Sequence, residues 1–169
     1  MERTGKIVWD PGQANPKQRA FFASRTLYTA YGGAKGGGKT WAVRTKAVGG
    51  ALSHPGIRIL LMRRTYPELE QNHIRPMLSQ VPPELFRYNG TNHVMTFING
   101  SEIKFGHWAG EASEQEYQGL EFDWIFIDEA TQFTQRAFNY LGGCLRGTGD
   151  FPRRMYLTCN PGGVGHRWV

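Results

Sequence analysis

One octapeptide limits what this chain can become. Gly33-Ala34-Lys35-Gly36-Gly37-Gly38-Lys39-Thr40 fits G-x-x-x-x-G-K-[S/T], the phosphate-loop or Walker A pattern. Backbone N–H groups in such a loop wrap a triphosphate, and glycines allow the close approach and the positive φ that this requires. The next helix aims its N-terminus at the phosphates. Lys39 is placed to reach the β- and γ-phosphates of ATP, and the Thr40 hydroxyl to bind Mg²⁺. A chain with 22 glycines could carry such a run as a mere turn, so its flanks decide. Thr26–Tyr31 is β-branched and aromatic and reads as a strand. Trp41–Val48 puts Ala42, Val43, Ala47 and Val48 on one apolar side and reads as a helix. Strand, glycine loop, helix is the context the motif needs.

A second chemical stretch lies about 90 residues on, and its place at a strand end is that of the Mg²⁺ aspartate of phosphate-loop enzymes. Phe122-Asp123-Trp124-Ile125-Phe126-Ile127 is a buried-strand run ending in Asp128-Glu129-Ala130. Alone, such an ending only meets solvent. Beside a phosphate loop it reads as Walker B, with Asp128 at the Mg²⁺ site and Glu129 as the general base that polarises water. A third strand, Arg154–Cys159, ends in Asn160-Pro161-Gly162-Gly163. Thr158 and Asn160 are either sensors of the γ-phosphate or of the attacking water, or parts of a well-made turn.

The remaining chain supplies the frame. Asn15-Pro16-Lys17-Gln18 caps a helix running to about Ser24. Gln18 is either an exposed helical side chain or, given the nearby loop, a partner for the N6 and N7 edge of adenine. Ile57–Met62 is another buried strand, and Arg63-Arg64 leaves its end, to touch DNA or phosphate or to cap the strand. Residues 68–80 read as helix with a bend at Pro76. Val94–Ile98 and Ser101–Phe105 flank Asn99-Gly100, a two-residue hairpin signal. Short helices are expected over 113–118, from the Ser113/Glu116 capping spacing, and over 131–141.

With 169 residues, 40% apolar and 20% charged, the chain is one globular domain rather than a disordered segment. A net charge of +6 suits a polyanionic partner, or is ordinary surface charge. Cys144 and Cys159 form no disulfide scaffold or metal spacing and read as reduced thiols. There is no signal peptide and no apolar run of about 18 residues.

Taken in order, Asn-Pro-Lys-Gln, the phosphate loop, Arg-Arg-Thr-Tyr-Pro-Glu-Leu, Ile-Phe-Ile-Asp-Glu-Ala and Leu-Thr-Cys-Asn-Pro-Gly-Gly resemble the N-terminal ATPase domain of tailed-phage terminase large subunits. The resemblance runs from about Asn15 to Val169. It implies an α/β, RecA-like (ASCE-type) phosphate-loop fold with a mainly parallel sheet and an antiparallel hairpin insertion. It also implies ATP hydrolysis with Mg²⁺, driving double-stranded DNA into a procapsid in the cytoplasm of a bacterial host. Its partners would be DNA, a portal protein, a small terminase subunit and further copies in a ring. Gln18 matches the family's adenine glutamine, Lys39 and Thr40 its phosphate-loop pair, Asp128 and Glu129 its carboxylates, and Thr158 and Asn160 its coupling motif. Lys35 stands where many members carry a transition-state arginine, and a lysine keeps the charge without the planar fork. The whole of 1–169 is expected to be an ATPase domain cut short, with the family's nuclease domain absent. The alternatives are another RecA-like nucleic-acid ATPase such as a helicase, or a nucleotide-binding assembly module without turnover.

The expected parallel strands are 26–32, 57–63, 123–128 and 154–159. The last lies between the first and third, with 57–63 outermost, and the first is left as an exposed edge.

Overall fold

The computed structural model describes residues 9–33, 38–147, 149–160 and 168. Helices α1 (Pro16–Ala23), α2 (Lys39–Ser53), α3 (Tyr66–Leu69), α4 (Arg75–Gln80), α5 (Glu111–Tyr117) and α6 (Gln135–Gly143) surround one sheet. Its strands are β1 (Tyr28–Gly32), β2 (Arg58–Arg63), β3 (Phe86–Asn89), β4 (Val94–Phe97), β5 (Glu102–His107), β6 (Trp124–Ile127) and β7 (Arg154–Cys159), in the order β1-β7-β6-β2-β5-β4-β3. The run from β1 to β5 is parallel; β4 and β3 are antiparallel additions.

The expected order of the first, last and third parallel strands holds, and β1 is an edge among the described residues. Strand β2 is not outermost. The second arm of the hairpin, β5, pairs parallel to it from Arg58↔Glu102 to Arg63↔His107. The hairpin is therefore less an insertion than the means by which the parallel sheet gains a fifth member. Its loop also differs from the two-residue form. Phe97 N donates to the Ser101 carbonyl and Gly100 N to the Phe97 carbonyl, each at 2.9 Å. Ile98, Asn99 and Gly100 thus form a three-residue loop, with Gly100 left-handed at φ 87°.

Alternation along β2 sorts the core into two layers. Ile59 and Leu61 join Val43, Ala47, Phe126 and Tyr156 on the α2 face. Leu60 and Met62 join Ile125, Ile127, Phe133 and Leu141 on the α6 face. Helix α2 ends against the hairpin, where Asn99 Nδ2 donates to the Ala51 carbonyl at 2.8 Å and Ser101 Oγ to the same carbonyl at 2.7 Å. These bonds satisfy acceptors that a helix C-terminus leaves open.

Helices α3 and α4 are joined through a π-helical turn, Glu70–Ile74, in place of a simple bend. Pro76 brings no N–H, so the Asn72 carbonyl four residues back lacks its helical donor. Arg44 Nη1 donates to that carbonyl instead. The helix over 131–141 starts later than expected. A 3-10 turn spans Ala130–Gln132, and α6 begins after Thr134, whose side chain accepts from Ala137 N.

Candidate nucleotide site

Parallel pairing brings the carboxyl ends of β1, β7, β6 and β2 to one edge, where an open α/β sheet binds its ligand. Gly33, Arg63, Asp128 and Asn160 each follow or end one of these strands. Helix α2 starts at the same edge. Gly38 caps it at φ 75°, a left-handed value that suits glycine. Lys39 is buried and its Nζ donates to the Gly33 carbonyl at 3.0 Å, across the loop. Ala34, Lys35, Gly36 and Gly37 lie outside the described residues, and with them the expectation that Lys35 stands in for an arginine.

Gln18 holds the loop from outside. Its Oε1 accepts from Asn15 N at 2.8 Å and Asn15 Oδ1 accepts from Gln18 N at 2.9 Å, a capping box that starts α1. Its Nε2 donates to the Gly38 carbonyl at 3.1 Å. A Cβ at residue 38 would strike that same nitrogen. Among the described residues, one amide N–H and one oxygen lone pair of Gln18 remain unused.

Asp128 is the hub. Its Oδ2 accepts from His73 Nε2 at 2.8 Å, Arg63 Nη1 at 3.1 Å and Thr40 Oγ1 at 3.1 Å. Its Oδ1 accepts a short bond from Thr158 Oγ1. Burial alone would raise the pKa of this carboxyl. The His73 hydrogen bond, the Arg63 guanidinium and Thr158 outweigh it and hold the group well below the usual carboxylate range. Burial holds His73 down, so the imidazole is neutral and donates from Nε2. Its Nδ1, buried and without a partner among the described residues, then carries a lone pair rather than a proton.

Glu129 turns away from Asp128. Among the described residues, it and His93 are the non-glycine residues with positive φ, and Glu129 sits at φ 60°, ψ 52°. That left-handed conformation costs roughly 1–2 kcal/mol in an L-residue. Three bonds to the end of β7 fix it. Glu129 N donates to Thr158 Oγ1 at 3.0 Å, and Asn160 Nδ2 donates to Glu129 Oε1 and Oε2 at 3.0 and 3.2 Å. Thr158 thus bonds both carboxylate residues, and Asn160 bonds the second.

The two arginines after β2 separate. Arg63 points inward to Asp128 and also donates from Nη2 to Glu68 Oε2 at 3.3 Å. Arg64 donates to the Trp108 carbonyl, a capping contact. His73 was not among the residues singled out by sequence. Its signal was its place on the apolar stripe of the helix, four residues after Leu69 and four before Met77, both buried.

The oxygens gathered here suit a small hard cation. Mg²⁺ takes a hydroxyl, one or two carboxylates and substrate phosphates rather than a full protein cage. Thr40 Oγ1 and Asp128 Oδ2, 3.1 Å apart, would be the protein oxygens to hold it.

The fold is that of a RecA-like phosphate-loop domain. The chain belongs to the phage terminase large subunit family, which it matches over residues 25–169. A sequence comparison with curated proteins gives no match. Among solved structures it is similar to the large terminase of a thermophilic bacteriophage, with 18% identity and a TM-score of 0.70 over 86% of this chain and 39% of that one. The same terminase has also been solved with ATP-γ-S and with ADP. The chain is similar also to the large terminase ATPase domain of Thermus phage P74-26, with 16% identity and a TM-score of 0.70 over 92% of this chain and 69% of that one. The HK97 bacteriophage large terminase matches at 12% identity and a TM-score of 0.68, over 94% of this chain and 36% of that one. The chain thus spans well under half the length of the two whole terminases it matches.

Proposed function

We propose that the chain is a Mg²⁺-dependent ATPase domain whose hydrolysis drives double-stranded DNA into a phage procapsid. The observation that supports this best is the convergence at Asp128. Thr40 from the phosphate-loop helix and Thr158 from the end of β7 both bond its carboxylate, and Thr158 also receives the Glu129 amide. Lys39, Thr40 and the loop amides would hold the triphosphate, with Gln18 at the adenine. Thr40 and Asp128 would hold Mg²⁺, which when bound neutralises charge between the β- and γ-phosphates. Glu129 accepts the proton of the attacking water, oriented by the two Asn160 bonds. Those bonds also give β7 a direct link to the state of the water, the coupling role assigned to Thr158 and Asn160. Lys35 would add positive charge at the phosphates without a bidentate grip.

In the full packaging machine this domain would act with a nuclease domain, a portal, a small subunit and further copies of itself, in the cytoplasm of the infected cell. DNA contact would run mainly through phosphates, so binding would fall steeply with salt. The test is Mg²⁺-dependent ATP hydrolysis beside nucleotide binding. Glu129→Gln is expected to lower turnover by about 10²–10⁴-fold and leave binding intact, the signature of a lost general base. Lys39→Ala is expected to weaken binding itself. Equal turnover in the parent chain and Glu129→Gln would remove Glu129 from the chemistry.

A further inference from the structure

At the opposite, amino-terminal end of the parallel strands lies a cavity of about 560 Å³, within the range of small-molecule sites. It is bounded by the last turns of α2 and by the starts of β6 and β7. Lys46 is already seven positions along α2 from Lys39, roughly 10 Å down the axis, so the cavity is separate from the phosphate loop.

Its lining is chemically one-sided. Arg25, Lys46, Arg154 and His54 face it, and no carboxylate does among the described residues. Neither Arg25, Lys46 nor Arg154 is in an ion pair among those residues. Lys46 is buried, with Nζ bonded to the Phe22 carbonyl and 4.9 Å from the Tyr156 ring centroid. The Arg154 guanidinium lies 5.4 Å from the centroid of Trp124. Trp124 is 4% exposed, yet among the described residues its Nε1 has no hydrogen-bond partner, and neither has the buried Nε of Arg154. Buried donors of this kind call for an acceptor. The α2 wall is open at Gly49, where a Cβ would meet nothing within 4 Å, while Trp124 packs closely on Gly50. Desolvation and the neighbouring Arg154 and Arg25 push the Lys46 ammonium down to about 8, as expected where positive charges converge without a counter-charge.

We propose that this cavity is a second anion site, for a phosphate-bearing aromatic molecule of mononucleotide size. Arg25, Lys46 and Arg154 would take the phosphate, and the half-buried Trp9 offers a flat apolar face to the ring.

The experiment is equilibrium dialysis of the whole chain carrying Lys39→Ala, which removes the phosphate-loop lysine, against AMP, adenosine and inorganic phosphate. One AMP per chain is expected, with adenosine bound about tenfold or more weakly for want of the charge-assisted bonds. Arg154→Gln should weaken AMP by about tenfold, and so should Arg25→Gln, an exposed position where folding is not at stake. The proposal is overturned by absent AMP binding, by adenosine binding equally well, by an affinity unmoved in both variants, or by binding of an oligonucleotide alone.

Discussion

The two ends of the parallel sheet handle charge in opposite ways. At the carboxyl end, the buried Asp128 carboxylate is met by an imidazole, a guanidinium and two hydroxyls, so that its charge is answered. At the amino end, three cations converge with no carboxylate facing them among the described residues. The same strands carry both ends. A self-satisfied network makes a rigid, pre-organised site, whereas an unbalanced one stores affinity for a ligand.

The largest test of this contrast compares two arginines. Arg63→Ala strips a buried carboxylate of its guanidinium and is expected to cost about 3–5 kcal/mol of unfolding free energy in urea titrations. Arg154→Ala removes a cation that has no ionic partner among the described residues and is expected to change stability by less than about 1 kcal/mol. Equal losses would erase the difference between the two ends. A smaller effect follows at Thr158. Thr158→Val keeps the shape and deletes the hydroxyl between Asp128 and the Glu129 amide, for about 1–3 kcal/mol by the same measurement. The smallest concerns pH. The folded chain releases the Lys46 proton at about 8, the unfolded chain near the ordinary 10.5. Between those values the unfolded state holds more protons, so stability gains as pH rises. Lys46→Met should flatten that rise relative to the parent in denaturant midpoints taken from about pH 7.5 to about 10.5, the span over which the two states differ in protonation. A parallel pair of curves would mean that Lys46 feels no unbalanced charge.

Much of the carboxyl end could be read from the chain because its chemistry is local. The phosphate loop, Asp128-Glu129 and Thr158-x-Asn160 each sit where a short apolar strand stops, and strands of one direction must end together. What escaped depends on contacts between distant segments. His73 looked like part of an apolar helical stripe, and only the fold brings it 2.8 Å from Asp128. Arg63 and Arg64 are neighbours in sequence, but they leave the strand on opposite sides, one inward and one to a backbone carbonyl. Strand β3 is short and half polar and follows two prolines, so no periodicity announced it. The cavity at the amino end gathers its lining from α1, α2, β6 and β7, with no shared motif.

Helix α2 is gripped at both ends. Gln18 holds the Gly38 carbonyl at its start, and Asn99 and Ser101 hold the Ala51 carbonyl near its finish. Its 15 residues make a strut of roughly 22 Å. A push delivered where the phosphates would lie therefore has a stiff load path to the hairpin, with side-chain amides as its couplings at each end. Under the proposed function, that path would be a transmission shaft running under the sheet from one side of the domain to the other.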